Sequence, residues 1–103
     1  MILMAENVCQ SLLLDVSEIE SRYHAARAGH VFDFHTDIVP FVAQIDQQLD
    51  DMQQMTDAFS TQRTRIVTLL QTLSVSCHDK RTSKKQFYDQ LKTVKHDIMT
   101  MMQ

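Results

Sequence analysis

The histidines and their acidic neighbours are the first residues to test for chemistry, because histidine is the commonest metal ligand and titrates near neutral pH. Four candidate ligands stand close together at His30, Asp33, His35 and Asp37. Their spacing does not match His-x-x-x-His, His-Glu-x-x-His or the paired Glu-x-x-His of di-iron bundles. We interpret the segment as a loop of solvated and helix-capping residues and predict no metal site, and a metal-dependent enzyme stays a less favoured hypothesis.

The two cysteines, Cys9 and Cys77, form no Cys-x-x-Cys pair, which argues against the common zinc and thioredoxin sites. Nucleophilic catalysis needs an oriented base and oxyanion donors, usually at a glycine-rich turn, and the chain has one glycine. The same shortage excludes the glycine loops that bind nucleotide phosphates. We predict buried, reduced cysteines, no catalytic residues and no cofactor, so the protein is predicted not to be an enzyme.

A basic segment in the C-terminal half is a third candidate site. It comprises Lys80, Arg81, Lys84, Lys85, Lys92 and Lys95. Residues 1–62 carry a net charge of −8 and residues 63–103 a net charge of +5. The halves either pair with each other inside the molecule or offer a basic surface to an acidic partner. We favour a solvated turn, or internal pairing with acids of the second helix, over nucleic-acid binding; these acids are Asp46, Asp50, Asp51 and Asp57.

Four stretches with apolar residues at spacings of three and four predict the helices that position these residues. The first stretch is Ile2, Ala5, Cys9, Leu12, Val16, Ile19, Tyr23 and Ala26, and the second is Phe34, Ile38, Phe41, Ile45, Leu49, Met52, Met55 and Phe59. The third is Ile66, Leu70, Leu73 and Cys77, and the fourth is Phe87, Leu91, Val94, Ile98 and Met101. Short connections make consecutive helices antiparallel neighbours. The sequence therefore predicts an all-α fold, an antiparallel up-down four-helix bundle.

Glycine, proline and polar residues set the predicted helix boundaries. Gly29 ends the first helix, because glycine adopts positive φ without a steric penalty. The second helix either begins near Thr36 or Asp37, with Pro40 in its first turn, or begins at Asp33 and kinks at Pro40. A short turn is expected near residues 58–62, and residues 78–82 form the next connection. Ser83 and Gln86 match the capping box that would begin the last helix.

Length and composition limit the class of protein. A chain of 103 residues that is 44% hydrophobic and 22% charged is expected to form a single globular domain over residues 1–103. One glycine and one proline supply too few turns for a multi-stranded sheet. No apolar run approaches the ~20 residues that span a bilayer, so we predict a soluble, cytoplasmic protein with no membrane segment.

Methionine and phenylalanine side chains predict an apolar surface patch. Met52 and Met55 lie in the second apolar stretch, where core packing is the more frequent role. Met99 and Met102 fall partly outside the fourth stretch. Together with Phe32 and Phe34 they are expected to leave a patch for a partner or for a second copy of the chain.

Two segments resemble one known family. The segment 32–42, in which Phe32, Asp33 and Phe34 precede Pro40, resembles the pattern of the YppE-like proteins, small helical proteins of unknown function from Bacillus and related Gram-positive bacteria. The segment 82–88, from Thr82 to Tyr88, is similar to the start of that family's final helix. The chain departs from the pattern at Met52, where the family has Trp, and around residues 58–64, which are shorter.

The resemblance implies a four-helix bundle and no assigned activity. If its motifs mark a shared site, the residues implied are Asp33, Phe34, Pro40, Asp46, Lys84 and Lys85, although helix capping and core packing also explain each of them.

The favoured function is a non-enzymatic cytoplasmic interaction module that binds an unidentified protein partner or a second copy of itself. The candidate interaction surface comprises Phe32, Asp33, Phe34, Lys80, Arg81, Lys84 and Lys85. One alternative is binding of phosphate or nucleic acid by the basic start of the last helix, where the lysines lie beside free backbone amides. A small secretion-type chaperone is a further alternative, because such proteins are also short amphipathic bundles.

Overall fold

Four antiparallel helices form an up-down bundle in the computed structural model, which describes residues 2–103 and the side chains of residues 7–103. The helices are α1 (Ile2–Arg27), α2 (Val39–Met55), α3 (Ser60–Ser76) and α4 (Lys84–Met101). A π-helical turn, Phe34–Ile38, precedes α2. Each helix packs on the next, and α4 packs back on α1. No strand occurs within residues 2–103, and the predicted all-α bundle is confirmed. None of the helices described is long and apolar enough to cross a membrane.

The core contains most of the apolar positions that the periodicity predicted. The buried members are Cys9, Leu12, Val16, Ile19, Tyr23, Phe41, Ile45, Leu49, Met52, Ile66, Leu70, Leu73, Cys77, Phe87, Leu91, Val94 and Ile98. Both cysteines are buried and free, as predicted. The predictions for Ile2 and Ala5 lie outside the described side chains.

Phe34 and Phe59 belong to the second predicted apolar stretch but do not lie in the core; Phe34 was also expected in an exposed patch. Phe34 is 61% exposed and Phe59 is 38% exposed. A π turn contains more residues than an α turn, so Phe34 does not share the phase of the α2 stripe. Phe59 lies in the connection between α2 and α3, where its φ of 57° is left-handed.

The end of α1 is set by Gly29, as predicted. The amide of Gly29 donates to Ala26 O at 3.1 Å and the amide of His30 donates to Ala25 O at 2.9 Å, with a φ of +106° at Gly29. This pair of hydrogen bonds is the Schellman motif, which satisfies carbonyls that the helix leaves free.

The chain re-enters helical structure directly after Asp33. The Asp33 carboxylate accepts hydrogen bonds from the amides of His35 (2.9 Å) and Thr36 (2.8 Å), so Asp33 caps the π turn. Pro40 occupies the first turn of α2, where its missing N–H is tolerated. The structure combines parts of both alternatives: helical structure begins directly after Asp33 as the π turn, and Pro40 lies in the first turn of α2, which begins at Val39.

The connection between α2 and α3 spans residues 56–59; it begins two residues and ends three residues before the predicted 58–62, and Ser60 begins α3. Arg63 holds this turn. Its guanidinium donates to Ala58 O at 2.7 Å, to Asp57 O at 3.0 Å and to Gln53 Oε1 at 2.7 Å. These contacts satisfy the turn carbonyls without the glycine or proline that would have marked the boundary in the sequence.

The connection between α3 and α4 spans residues 77–83, which agrees with the predicted 78–82 within one residue at each end. Ser83 Oγ accepts a hydrogen bond from the amide of Gln86 at 3.3 Å, so the predicted capping residue begins α4.

Candidate binding surface

Both the α1–α2 and α3–α4 connections lie at the same end of the bundle. We call this the loop end and define it by residues 28–39 and 75–85. Three side chains from the C-terminal part of α1 hold it together. Arg22 Nη1 donates to Asp37 O (3.1 Å), Tyr23 Oη donates to Thr82 O (2.6 Å), and Arg27 Nη1 donates to Lys80 O (3.1 Å). Sequence reasoning missed these three residues as loop anchors, because each bond joins α1 to a backbone carbonyl at least fifteen residues away.

The centre of this arrangement is the Arg22 guanidinium. It lies 4.0 Å from the centroid of the Phe41 ring, and its Nε donates to Glu18 at 3.0 Å. Its Nη1 is 2.9 Å from His78 Nε2, which ties α1 to the end of α3. The Arg22 side chain is only 20% exposed, and its contacts with Asp37 O and His78 are partly buried, whereas Glu18 is 52% exposed.

The surroundings of His78 favour the neutral imidazole over the imidazolium. Burial lowers its pKa, and the neighbouring Arg22 charge lowers the pKa further. Its ring packs edge-on against Phe32 at 4.7 Å and Phe41 at 5.7 Å. Burial also raises the pKa of the adjacent Cys77 thiol to about 12, so the Cys77–His78 pair does not provide a reactive thiolate.

The four candidate metal ligands do not converge on a common point. The Asp33 carboxylate binds the amides of the π turn, and the Thr36 amide hydrogen bond is the main reason for the lowered pKa of Asp33. Asp37 Oδ2 accepts from the Asp33 amide at 2.8 Å. His30 packs on Phe32, and His35 packs on Phe34. Within the part of the chain that the structure describes, no group of three or more His, Cys, Asp or Glu side chains could hold a metal ion.

Apolar side chains are exposed at the loop end. Val31 is 86% exposed, Phe34 61%, Val75 55% and Val39 44%. A cleft of about 400 Å³ lies between the two connections. It is lined by Val31, Phe32, Ile38 and Val75, with Lys80 among the polar residues at its boundary.

Exposed lysines surround the same end. Lys80, Lys84 and Lys85 are exposed, whereas Arg81 is paired with Asp79 at 3.1 Å. Of the two favoured alternatives for these residues, a solvated turn or pairing with acids of α2, the pairing is not observed among the described side chains. Each ion pair among residues 7–103 stays within the acidic half or within the basic half, and the first turn of α4 keeps its lysines toward solvent.

The structure brings the predicted candidate surface together. Phe32 is half-buried, and the other members, Asp33, Phe34, Lys80, Arg81, Lys84 and Lys85, are exposed at the loop end. The expected patch that also included Met99 and Met102 is wrong. Those residues end α4, and an antiparallel bundle places the end of α4 opposite the end of α1.

A separate cleft of about 450 Å³ runs between α1 and the N-terminal half of α2. Asp15 lines it, although the residue is only 4% exposed. Gln44 Nε2 donates to Asp15 Oδ1 at 3.4 Å, and the Gln48 side-chain amide, when oriented with its nitrogen toward Asp15, donates to the same carboxylate. Burial raises the pKa of Asp15 to about 6; the Gln44 hydrogen bond opposes this shift and the Glu18 charge adds to it. Sequence reasoning missed Asp15, which lies beside the core position Val16.

Comparisons with known proteins give the family and the fold. A family model described as a bacterial domain of unknown function, DUF1798, matches residues 9–103. A protein of unknown function from Listeria innocua superposes with a TM-score of 0.83 at 20% identity, covering 99% of this chain and 93% of its own. A domain of unknown function from the same family in Staphylococcus aureus superposes with a TM-score of 0.84 at 23% identity, covering 95% and 92%. No curated protein matches the chain.

Proposed function

Because the chain belongs to the DUF1798 family of bacterial domains of unknown function, we propose a function from its own surface: a non-enzymatic, cytoplasmic module that binds a protein partner through the loop end. The finer relationship to the YppE-like proteins is part of this proposal. It rests on the segments 32–42 and 82–88, both of which lie at or beside the loop end.

The distribution of exposed apolar side chains carries the proposal. Seven large hydrophobic residues are exposed among those that the structure describes, and four of them lie at the loop end: Val31, Phe34, Val39 and Val75. Scattered exposed apolar residues are ordinary, but a group beside a cleft is typical of an interaction site. The three anchors from α1 hold the loops in place, so little ordering would oppose binding.

Charge indicates the chemistry of the partner. Lys80, Lys84 and Lys85 lie at the loop end without an ion-pair partner among the described side chains, and the nearby acids Asp33 and Asp79 are engaged by backbone amides and by Arg81. We therefore assign the surface to an acidic protein segment with apolar side chains that enter the cleft between the connections.

The test compares two exposed apolar residues at opposite ends of the bundle. Phe34→Ser changes the loop end, whereas Met99→Ser changes a residue of similar exposure at the far end. Tagged wild-type protein and both variants are incubated with nuclease-treated bacterial lysate, and the captured protein is identified and then purified for titration. We expect Phe34→Ser and the double variant Lys84→Ala/Lys85→Ala to weaken binding by about tenfold or more, and Met99→Ser to leave it unchanged. Equal loss in Phe34→Ser and Met99→Ser would refute the loop end as the binding site.

Phosphate or nucleic acid is the second candidate ligand, favoured by the two exposed lysines in the first turn of α4. If nucleic acid is the ligand, nuclease treatment of the lysate prevents its capture by the tagged protein, and its affinity for the protein falls steeply as the salt concentration rises. Lys84→Ala/Lys85→Ala would reduce the slope of log affinity against log salt by about two. A salt-independent interaction excludes this alternative.

A further inference from the structure

The carboxylate of Asp15 is buried and has no counter-ion among the side chains that the structure describes. It is 4% exposed, and none of the ion pairs among residues 7–103 includes it. Its polar neighbours on α2 are the neutral amides of Gln44 and Gln48. Buried carboxylates are ordinarily paired with a base, because hydrogen bonds from neutral groups only partly replace hydration.

The charged residues that line the cleft with Asp15 do not supply that base. Glu18 lines the same cleft and carries the same charge. Arg22 also lines the cleft, but its guanidinium is engaged by Glu18, by Asp37 O and by His78. The residues that line the cleft therefore have a net negative charge, and the carboxylate without a basic partner is that of Asp15.

The rest of the cleft suits a cation carried on an apolar chain. Leu14 is 71% exposed beside the cleft, and Ser17 contributes a hydroxyl at its edge. The hydrogen bond from Gln44 is long at 3.4 Å, and Gln44 itself is exposed, so its amide can move aside for a stronger donor.

We propose that the α1–α2 cleft is a second binding site, in which Asp15 pairs with an ammonium or guanidinium group whose alkyl chain packs against Leu14. The group belongs either to a free amine or to a basic side chain of a polypeptide. This site is separate from the loop end and does not depend on the function proposed for that surface. Because protonation removes the charge of Asp15, whose pKa is raised to about 6, binding is stronger above that pH than below it.

The primary experiment titrates butylguanidinium into ¹⁵N-labelled protein at about pH 7.5 and about pH 5, with the shifts of the Gln44 and Gln48 side-chain amides as the readout. Butylurea, a neutral molecule of the same shape, controls for apolar contact. Asp15→Asn removes the charge and keeps the shape, and Asp46→Asn removes an exposed acid of α2 as a matched control. Spermidine and an acetylated, amidated Leu-Arg-Leu peptide distinguish the two sources of the cation.

We expect saturable binding of butylguanidinium to the wild type and to Asp46→Asn at the higher pH. Affinity falls by about tenfold or more in Asp15→Asn and falls in the wild type at the lower pH. Tighter binding of spermidine assigns the site to free amines, and tighter binding of the peptide assigns it to basic side chains. Equal affinity of Asp15→Asn, equal binding of butylurea, or no saturation by about 50 mM overturns the proposal.

Discussion

The guanidinium of Arg65 on α3 donates two hydrogen bonds to the carboxylate of Asp97 on α4, at 2.7 and 2.6 Å. Asp97 is 1% exposed, whereas the Arg65 side chain is 49% exposed. The two-point geometry satisfies both carboxylate oxygens and fixes the register of the two helices. A buried acid within the apolar face of α4 therefore depends on one partner from a neighbouring helix.

Loss of Arg65 alone is expected to destabilise the bundle more than loss of both partners. Arg65→Met leaves the Asp97 charge buried without a counter-ion, and the melting temperature falls by several degrees. Arg65→Met/Asp97→Leu removes both charges and recovers part of that loss. Thermal unfolding measures the effect, and Arg81→Met, which breaks an exposed pair with Asp79, serves as the control. A double variant that is less stable than the single variant would contradict this account.

Asp15 makes stability depend on pH in a defined direction. Its folded pKa of about 6 exceeds the ordinary 3.8, so the folded state holds this proton more tightly than the unfolded state. The contribution of this proton to the free energy of unfolding is complete below the ordinary pKa. It is lost as pH rises through 6, and the free energy of unfolding then falls by about 2–3 kcal/mol. Asp15→Asn should therefore unfold at higher denaturant concentration than the wild type near pH 7. Parallel pH profiles for the wild type and Asp15→Asn would contradict the prediction, and Asp46→Asn is the control.

The core was predictable because it follows from local spacing. Leu12, Ile66 and Val94 are fully buried, and each lies in a stretch with apolar residues every three or four positions. Asp15 and Asp97 lie next to these stretches and carry charges. Whether such a position is buried depends on what a neighbouring helix offers, here two glutamines and one arginine, and a single helical pattern does not contain that information.

The candidate surface was predictable in part. Phe34, Lys80 and Lys84 were each identifiable by type, and the up-down order of helices places their connections at one end. Arg22 and Tyr23 were not identifiable as loop anchors, because their acceptors are backbone carbonyls that every residue possesses. Long-range contacts of this kind depend on the packed bundle.

His78 is expected to titrate below the ordinary histidine range. Burial and the Arg22 charge both disfavour the imidazolium. Histidine NMR titration should place its pKa below 6.5 in the wild type, and Arg22→Gln should raise the pKa because the positive neighbour is removed. The exposed His96 is a reference signal in both proteins. An unchanged His78 pKa in Arg22→Gln would show that Arg22 has no influence on this ring.

Gly29 is expected to resist substitution for a conformational reason. A Cβ at this position would meet no atom within 4 Å, so its φ of +106° is the source of any cost. Gly29→Ala should lower the free energy of unfolding by about 1–2 kcal/mol, and Gly29→Asn by less, because asparagine tolerates positive φ better. Denaturant unfolding compares the three proteins. If Gly29→Ala is as stable as the wild type, the backbone at the end of α1 adopts another conformation without cost and the positive φ is not required.

Both cysteines are expected to react slowly with thiol reagents in the folded protein. Burial raises the pKa of Cys9 and raises that of Cys77 to about 12, so little thiolate exists at neutral pH. Modification by a disulfide reagent should be more than about a hundredfold slower than in denaturant, because the thiolate is the reacting form. Gln10→Cys adds an exposed thiol to the same helix and should react at an ordinary rate. Equally rapid labelling of the wild type would mean that the bundle opens readily around Cys9 or Cys77.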